Sequence, residues 1–327
     1  MMTPLHVLDV AVIGAGVAGL SCANTLAQAG LKVAIFDKAR GAGGRMATRR
    51  GEHASFDHGA QYFTAHVPAF HAAVAQWQAA GVVTEWKGRI VAWDGTSFAD
   101  SDGKTRYVAE PGMSGLCRYL MGDLSFFSQH KLIGFERDGE GWRLDFESGE
   151  TAACRKLVLA LPAPQAAQLL EAEPALHAIV AGVTMSPVWA VMVRFAEPLN
   201  LDFAGCFVNQ GPLSWVARNS SKPGRPAGEA WVLHGSPGWS QVHVSEKEDS
   251  VSNALLAAFR NLVGVQAGVE ELSAHRWLYA QADNPLNVGC LVDASATLGL
   301  AGDWINGSRV EGAWDSGLQV AEKLLAQ

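Results

Sequence analysis

The run Val10-Ala11-Val12-Ile13-Gly14-Ala15-Gly16-Val17-Ala18-Gly19 joins a wholly apolar stretch to a G-x-G-x-x-G turn. Four consecutive apolar residues fit a strand buried on both faces. The glycines after them have distinct mechanical roles. Gly14 permits the tight turn, Gly16 lets backbone approach a pyrophosphate, and Gly19 lets helix and strand pack closely. A helix is expected from Val17 to Ala29, with Leu20, Ala23 and Leu26 on one face and Gly30 where a C-cap glycine belongs. Its N-terminus turns a partial positive charge toward phosphates. The second strand, Val33-Ala34-Ile35-Phe36, ends at Asp37. A carboxylate there can accept both hydroxyls of an unphosphorylated adenosine ribose, which suits FAD or NAD rather than NADP.

Working outward, composition narrows the alternatives. The chain has 327 residues, 49% hydrophobic and 17% charged, enough for one large or two medium domains with a sizeable core. A net charge of -7 and a pI near 5.8 argue against a nucleic-acid partner. No run reaches the roughly 18 apolar residues that span a bilayer. Met1–Val7 lacks a basic segment, so no signal peptide and no membrane partner are expected. The five cysteines are scattered and odd in number, as for free thiols in the cytoplasm, the expected location. His53 and His58 share a loop without clustered ligands, so no metal is expected. Most of the eleven Trp read as core.

Further along, a Gly- and Arg-rich loop covers 39–50, and Phe70 to Ala80 reads as a helix. Short strands are expected at 89–93 and 105–109. A helix capped by Ser114 should run from Gly115 to Met121, followed by a hairpin of 131–137 and 142–146 and a buried strand from Lys156 to Leu161. From Ala163 the pattern becomes alternating apolar stretches among Pro/Gly turns, as in an antiparallel sheet. A helix is expected from Glu246 to Val263, and 221–228 reads as a hairpin loop. The end returns to strand, Gly-rich turn and helix.

Gly41-Ala42-Gly43-Gly44-Arg45 and Asp57-His58-Gly59-Ala60-Gln61-Tyr62-Phe63 now acquire weight. So does Gly302-Asp303-Trp304, with Gly307-Ser308-Arg309-Val310-Glu311-Gly312-Ala313 after it. Together with the glycine turn and Asp37 they resemble flavin-containing amine oxidases and their relatives. Within these, Phe36 to Arg50, Phe56 to Phe63 and Pro111-Gly112-Met113-Ser114 are most similar to the renalases, the bacterial ones above all. The resemblance covers the whole chain and is loosest from Pro164 to Ser273.

That resemblance implies FAD as cofactor. The residues it assigns to FAD are Gly14, Gly16, Val17, Ala18, Asp37, Lys38, Gly43, Gly44, Arg45, Met46, His58, Gly59, Ala60, Gln61, Leu132, Gly302, Asp303, Arg309, Val310 and Gly312. The Gly-Gly-Arg loop would lie along the pyrophosphate and the Gly59-Ala60 turn against the isoalloxazine. Asp303 would bond a ribityl hydroxyl, and the helix start at 310–313 would face the flavin C2 carbonyl, where reduced flavin carries negative charge. Gln61, Tyr62, Trp189, His234 and Arg309 are the candidate substrate contacts.

Two departures matter. Amine oxidases keep a Tyr two positions before the Glu of Glu-Gly-Ala, and here Arg309 stands there. A fixed cation repels a protonated amine. Covalent members keep a Cys in the preceding loop, whereas 304–308 has none, so FAD should be held non-covalently. The renalase resemblance implies an FAD-dependent oxidase of 2- and 6-dihydro-NAD(P). A hydride passes to flavin N5, NAD(P)+ leaves, and O2 becomes hydrogen peroxide. Such a hydride transfer needs stacking at near-attack distance and no general base, and no certain catalytic side chain is found. His58, His234 and His275 are candidates. The alternatives are an amine oxidase or other small-molecule flavin oxidoreductase, and a non-catalytic flavin-binding protein.

The expected fold is α/β: a discontinuous Rossmann-like FAD-binding domain of 1–66, 107–165 and 292–327. An α+β substrate domain of 67–106 and 166–291, containing an antiparallel sheet, completes it.

Overall fold

The structure, a computed structural model, describes residues 8–326, so the expectation for Met1–Val7 lies outside it. Contacts divide the chain into two compact units. The first runs up to Gly44 and takes in Cys117–Met185 and the chain from Gln281, while the second is Arg45–Leu116 with Ser186–Ala280. Residues 45–66 and 107–116, grouped above with the FAD-binding part, thus lie in the second unit. Residues 166–185 and 281–291, grouped with the substrate part, lie in the first.

In the first unit, Leu8–Ile13 is flanked by parallel partners, Val33–Asp37 on one side and Thr151–Leu159 on the other. Ser125–Ser128 adds a parallel strand outside Val33–Asp37. Thr151–Leu159 is longer than the Lys156–Leu161 expectation because each half has its own partner. Its start pairs antiparallel with Gly141–Phe146 and its end parallel with Leu298–Leu300. It stops two residues early because Pro162 caps a helix, Ala163–Leu169, whose first turn carries a proline. There the missing N–H has no helical partner to lose. Val10, Ala11, Val12 and Ile13 are at most 3% exposed, as a doubly covered strand requires. Helices Val17–Gln28 and Val310–Leu325 pack closely enough that a Cβ at Gly317 would lie 2.1 Å from the Ala18 carbonyl oxygen.

The second unit holds a seven-stranded sheet in the order Val269–Ala282, Met185–Phe195, Glu229–Gly235, Leu213–Arg218, Gly205–Val208, Ile90–Trp93, Phe98–Asp100. Its described pairings are antiparallel except Gly205–Val208 with Ile90–Trp93. Helix Glu248–Val263 buries Val251, Leu255 and Phe259 in one cluster with Val193, Trp231 and Leu233 of the sheet. Its glycine C-cap, Gly264, is left-handed at φ 70°. The stretch 221–228 does join two hairpin strands. The 39–50 loop is more ordered than expected, since Thr48–Arg50 pairs with Ser55–Asp57. Among the described residues no helix is long and apolar enough to cross a membrane.

Candidate active site

The first unit's glycine turn separates two uses of glycine. A Cβ at Gly14 would stand 2.4 Å from the Ala160 carbonyl oxygen, and one at Gly19 2.0 Å from that of Gly14. Those two glycines pack chain against chain. A Cβ at Gly16 would meet nothing within 4 Å. Gly16 is also the N-cap of Val17–Gln28, a helix start without a side-chain cap. Gly43 donates its N–H to the Ala15 carbonyl at 2.9 Å, folding the second glycine loop over the first. Asp37 Oδ2 accepts the Ala15 N–H and Oδ1 the Ala39 N–H, each at 2.7 Å. Each oxygen keeps a further lone pair, so the carboxylate can still accept from a ligand. Lys38 is exposed beside it. Leu132 lies in the core, with its side chain turned inward.

The chain end supplies a second helix start in the same unit. The Asp303 carbonyl accepts from Asn306 at 3.0 Å and Ser308 at 2.8 Å, and Gly302 donates to Ser316 Oγ at 2.9 Å. These bonds fix the loop into Val310–Leu325, whose N-cap, Arg309, is exposed and gives no side-chain cap. A Cβ at Gly312 would stand 1.8 Å from the Asn306 carbonyl oxygen, so only glycine lets loop and helix approach this closely.

In the second unit, Arg45 anchors the turn 58–60. Its carbonyl accepts the Ala60 N–H at 2.8 Å, and a Cβ at Gly59 would stand 2.0 Å from that oxygen. Arg45 also donates from Nη1 to the Ala280 carbonyl at 3.0 Å, and Met46 is buried. Asp57, just before the turn, is wholly buried. Its Oδ2 receives Arg225 through Nε at 3.1 Å and Nη2 at 2.6 Å, and Lys222 Nζ at 3.2 Å. Oδ1 accepts from Thr48 Oγ1 and the Met113 N–H. Burial would raise the Asp57 carboxyl, but the Lys222 and Arg225 charges bring it down to about 2. Burial likewise lowers Lys222, to about 8, with Asp57 opposing.

Gln61 is 5% exposed, and its amide is turned inward. Nε2 donates to the carbonyls of Asp57 and Gly59, and Oε1 accepts from Lys222 at 3.1 Å. Tyr62 is partly exposed, within an aromatic group with Trp86 and Trp215. Trp189 lies in the sheet's core at 2% exposure, its indole N–H donated to the His243 carbonyl.

The three candidate histidines do gather. The His58 ring meets those of His275 at 4.8 Å and Trp277 at 5.0 Å. The His58 carbonyl accepts from Trp277 Nε1 at 2.9 Å and lies 3.2 Å from His234 Nε2. Because a carbonyl only accepts, the His234 proton sits on Nε2. Burial, with the nearby His275, lowers His58 to about 4. Burial also lowers His234 to about 4, against the pull of the His58 carbonyl, and lowers His275. At neutral pH all three are uncharged.

Comparison with known proteins now bears on this geometry. Residues 12–77 match the NAD(P)-binding Rossmann-like domain, and 89–325 match the family described as flavin containing amine oxidoreductase. The chain belongs to the flavin-containing amine oxidoreductases. Among solved structures the fold is shared with a protein of Exiguobacterium sp. 255-15, provisionally named a protoporphyrinogen oxidase (TM-score 0.78, 14% identity, 100% of both chains covered). Cyclohexylamine oxidase from Brevibacterium oxydans IH-35A shares it too (0.77, 12%, 98% of this chain and 99% of that one). So does putrescine oxidase bound to putrescine (0.71, 14%, 99% and 100%).

As a member of this family the protein is an FAD-dependent oxidoreductase, and its residues fit that cofactor. The open cradle at Gly16, the two helix starts without side-chain caps and the acceptor capacity of Asp37 suit a diphosphate and a ribose. Sequence reasoning missed Lys222, Arg225 and Asn219 beneath the 58–60 turn, and Trp277 beside it. Cations in a Pro/Gly-rich loop read as solvated, and only a search for partners of a buried Asp57 would have singled them out.

Proposed function

We propose that this flavoenzyme oxidises dihydronicotinamide dinucleotides reduced at the 2 or 6 position of the ring, releasing NAD(P)+. Bound FAD supplies a two-electron acceptor at N5 that O2 reoxidises, giving hydrogen peroxide. The observation that carries this reading is Arg309, the exposed N-cap of the helix that begins Val310-Glu311-Gly312. A guanidinium cation there disfavours an ammonium substrate, while it suits an anionic or electron-rich one. Burial makes His58 and His234, lowered to about 4, weak bases, in keeping with hydride donation by a dihydropyridine, which asks for none. For this chemistry the protein's work is to bind and orient the ring and exclude water. Absence of Cys from 304–308 supports a non-covalent FAD, which acid precipitation should release.

A second reading, amine oxidation, is favoured by the family name and by cyclohexylamine and putrescine oxidases among the structural relatives. Anaerobic mixing of the purified protein with 6-dihydro-NAD, and separately with simple amines, separates the two. Bleaching of the flavin band near ~450 nm by the dinucleotide, reversed by air with peroxide released, is expected. Bleaching by amines alone would replace the first reading with the second. An Arg309→Tyr variant should gain amine turnover.

A further inference from the structure

Lys222 is fully buried, and its ammonium group meets three acceptors drawn from three places. They are Asp57 Oδ2 at 3.2 Å, Gln61 Oε1 at 3.1 Å and Asn219 Oδ1 at 2.9 Å. An ammonium has three donors, so this set uses all of them. The Trp86 ring, 5.6 Å away, covers another side.

Neutralising Asp57 does not require this lysine. Arg225 already places Nε and Nη2 on the same carboxylate oxygen, with its Nη1 on the Ala109 and Pro223 carbonyls at 2.6 Å each. A second buried cation adds desolvation cost, and buried ion pairs are weak sources of stability compared with apolar packing. Lys222 brings two other things. It holds the Gln61 amide in one orientation, so that Nε2 reaches back to the Asp57 and Gly59 carbonyls and closes the 57–61 turn on itself. It also leaves the cluster of Asp57, Lys222 and Arg225 with one net positive charge. The neighbouring His58 and His234 are uncharged at neutral pH and do not alter that balance.

We propose that Lys222 is a positioning residue for the 58–61 turn, acting through Asp57 and Gln61, and that its charge favours an electron-rich ring against that turn. The inference rests on the assignment of this turn to the flavin ring.

The test uses the FAD-loaded protein and its Lys222→Met and Lys222→Arg variants. Lys222→Met should bind FAD at least tenfold more weakly, show an altered visible absorption and circular dichroism of the bound flavin, and have a more negative reduction potential. Lys222→Arg keeps the charge but not the three-acceptor geometry, so it should restore the potential more fully than the affinity. A Lys222→Met protein that melts lower while FAD affinity, spectrum and potential stay at wild-type values would overturn the proposal, because the lysine would then be only structural. If Lys222→Met does not fold, Lys222→Gln, neutral and still hydrogen-bonding, is read against the same outcomes. None of these readouts uses a dihydronicotinamide, so they stand or fall apart from the substrate proposed above.

Discussion

Gly16 and Gly19 sit three residues apart and answer to different demands. A methyl at Gly19 would stand 2.0 Å from a backbone carbonyl that cannot yield, whereas a methyl at Gly16 meets no protein atom within 4 Å. Gly19→Ala should therefore cost stability, about 1–3 kcal/mol or more, as overpacking does. Gly16→Ala should leave the melting temperature nearly unchanged yet weaken FAD at least tenfold, because the methyl enters the open space proposed to take the pyrophosphate. Thermal melts and FAD titrations of both variants check this, and a Gly16→Ala protein with wild-type affinity would place the pyrophosphate elsewhere. Asp57 makes a second prediction at this scale. Its folded carboxyl is depressed to about 2 from 3.8, so the stability it contributes is complete above about pH 4 and is lost as pH falls toward 2. Asp57→Asn should remove that acid-dependent part. Leaving Lys222 and Arg225 buried without their carboxylate should cost roughly 3–5 kcal/mol at neutral pH, measurable by denaturant unfolding.

At the scale of elements, the strand Val269–Ala282 carries His275 and Trp277 against the 57–61 segment, while His234 comes from Glu229–Gly235. Both His58 and His234 have folded values near 4 against 6.5 unfolded. Groups depressed this way stabilise fully above pH 6.5 and lose that contribution as pH falls through 4. The unfolding free energy should thus decline from pH 6.5 downward, with a slope of up to about 1.4 kcal/mol per pH unit for each proton involved. His234→Gln should flatten the decline by about one proton, and an unchanged slope would mean that His234 titrates normally. Elements of this kind divide into those legible in the sequence and those not. The βαβ start, the C-terminal strand and helix, and the 131–146 hairpin were legible because their patterns are local: apolar runs, a glycine turn, an Asp-Gly pair. Val269–Ala282 was not, since its sequence mixes charged and apolar residues and its pairing with Met185–Phe195 is set across many residues of chain. The Lys222 cluster was hidden for the same reason. Its meaning depends on Asp57, 165 residues away, and a Lys-Pro-Gly-Arg turn looks like solvent-facing loop when read alone.

At the scale of the molecule, the first unit is built from three separated stretches of chain, and its beginning and end are locked together by helix contact. Gly317 is the lock: a Cβ there would lie 2.1 Å from the Ala18 carbonyl oxygen and 3.1 Å from the Cys22 nitrogen. Both helices so joined begin without a side-chain cap. A residue larger than glycine at 317 must push them apart, and it displaces both helix starts relative to one another. Gly317→Val should therefore lower stability and FAD affinity together, unlike Gly16→Ala, which separates them. Linkage gives the measurement. Free FAD at about 100 times its Kd raises the unfolding free energy by about 2.7 kcal/mol, so the wild-type melting temperature climbs with FAD concentration. The variant should melt lower without added FAD and begin its climb at a higher FAD concentration. A lower melting temperature with the wild-type concentration dependence would show that the helix contact serves the fold alone and that the two helix starts bind independently of their spacing.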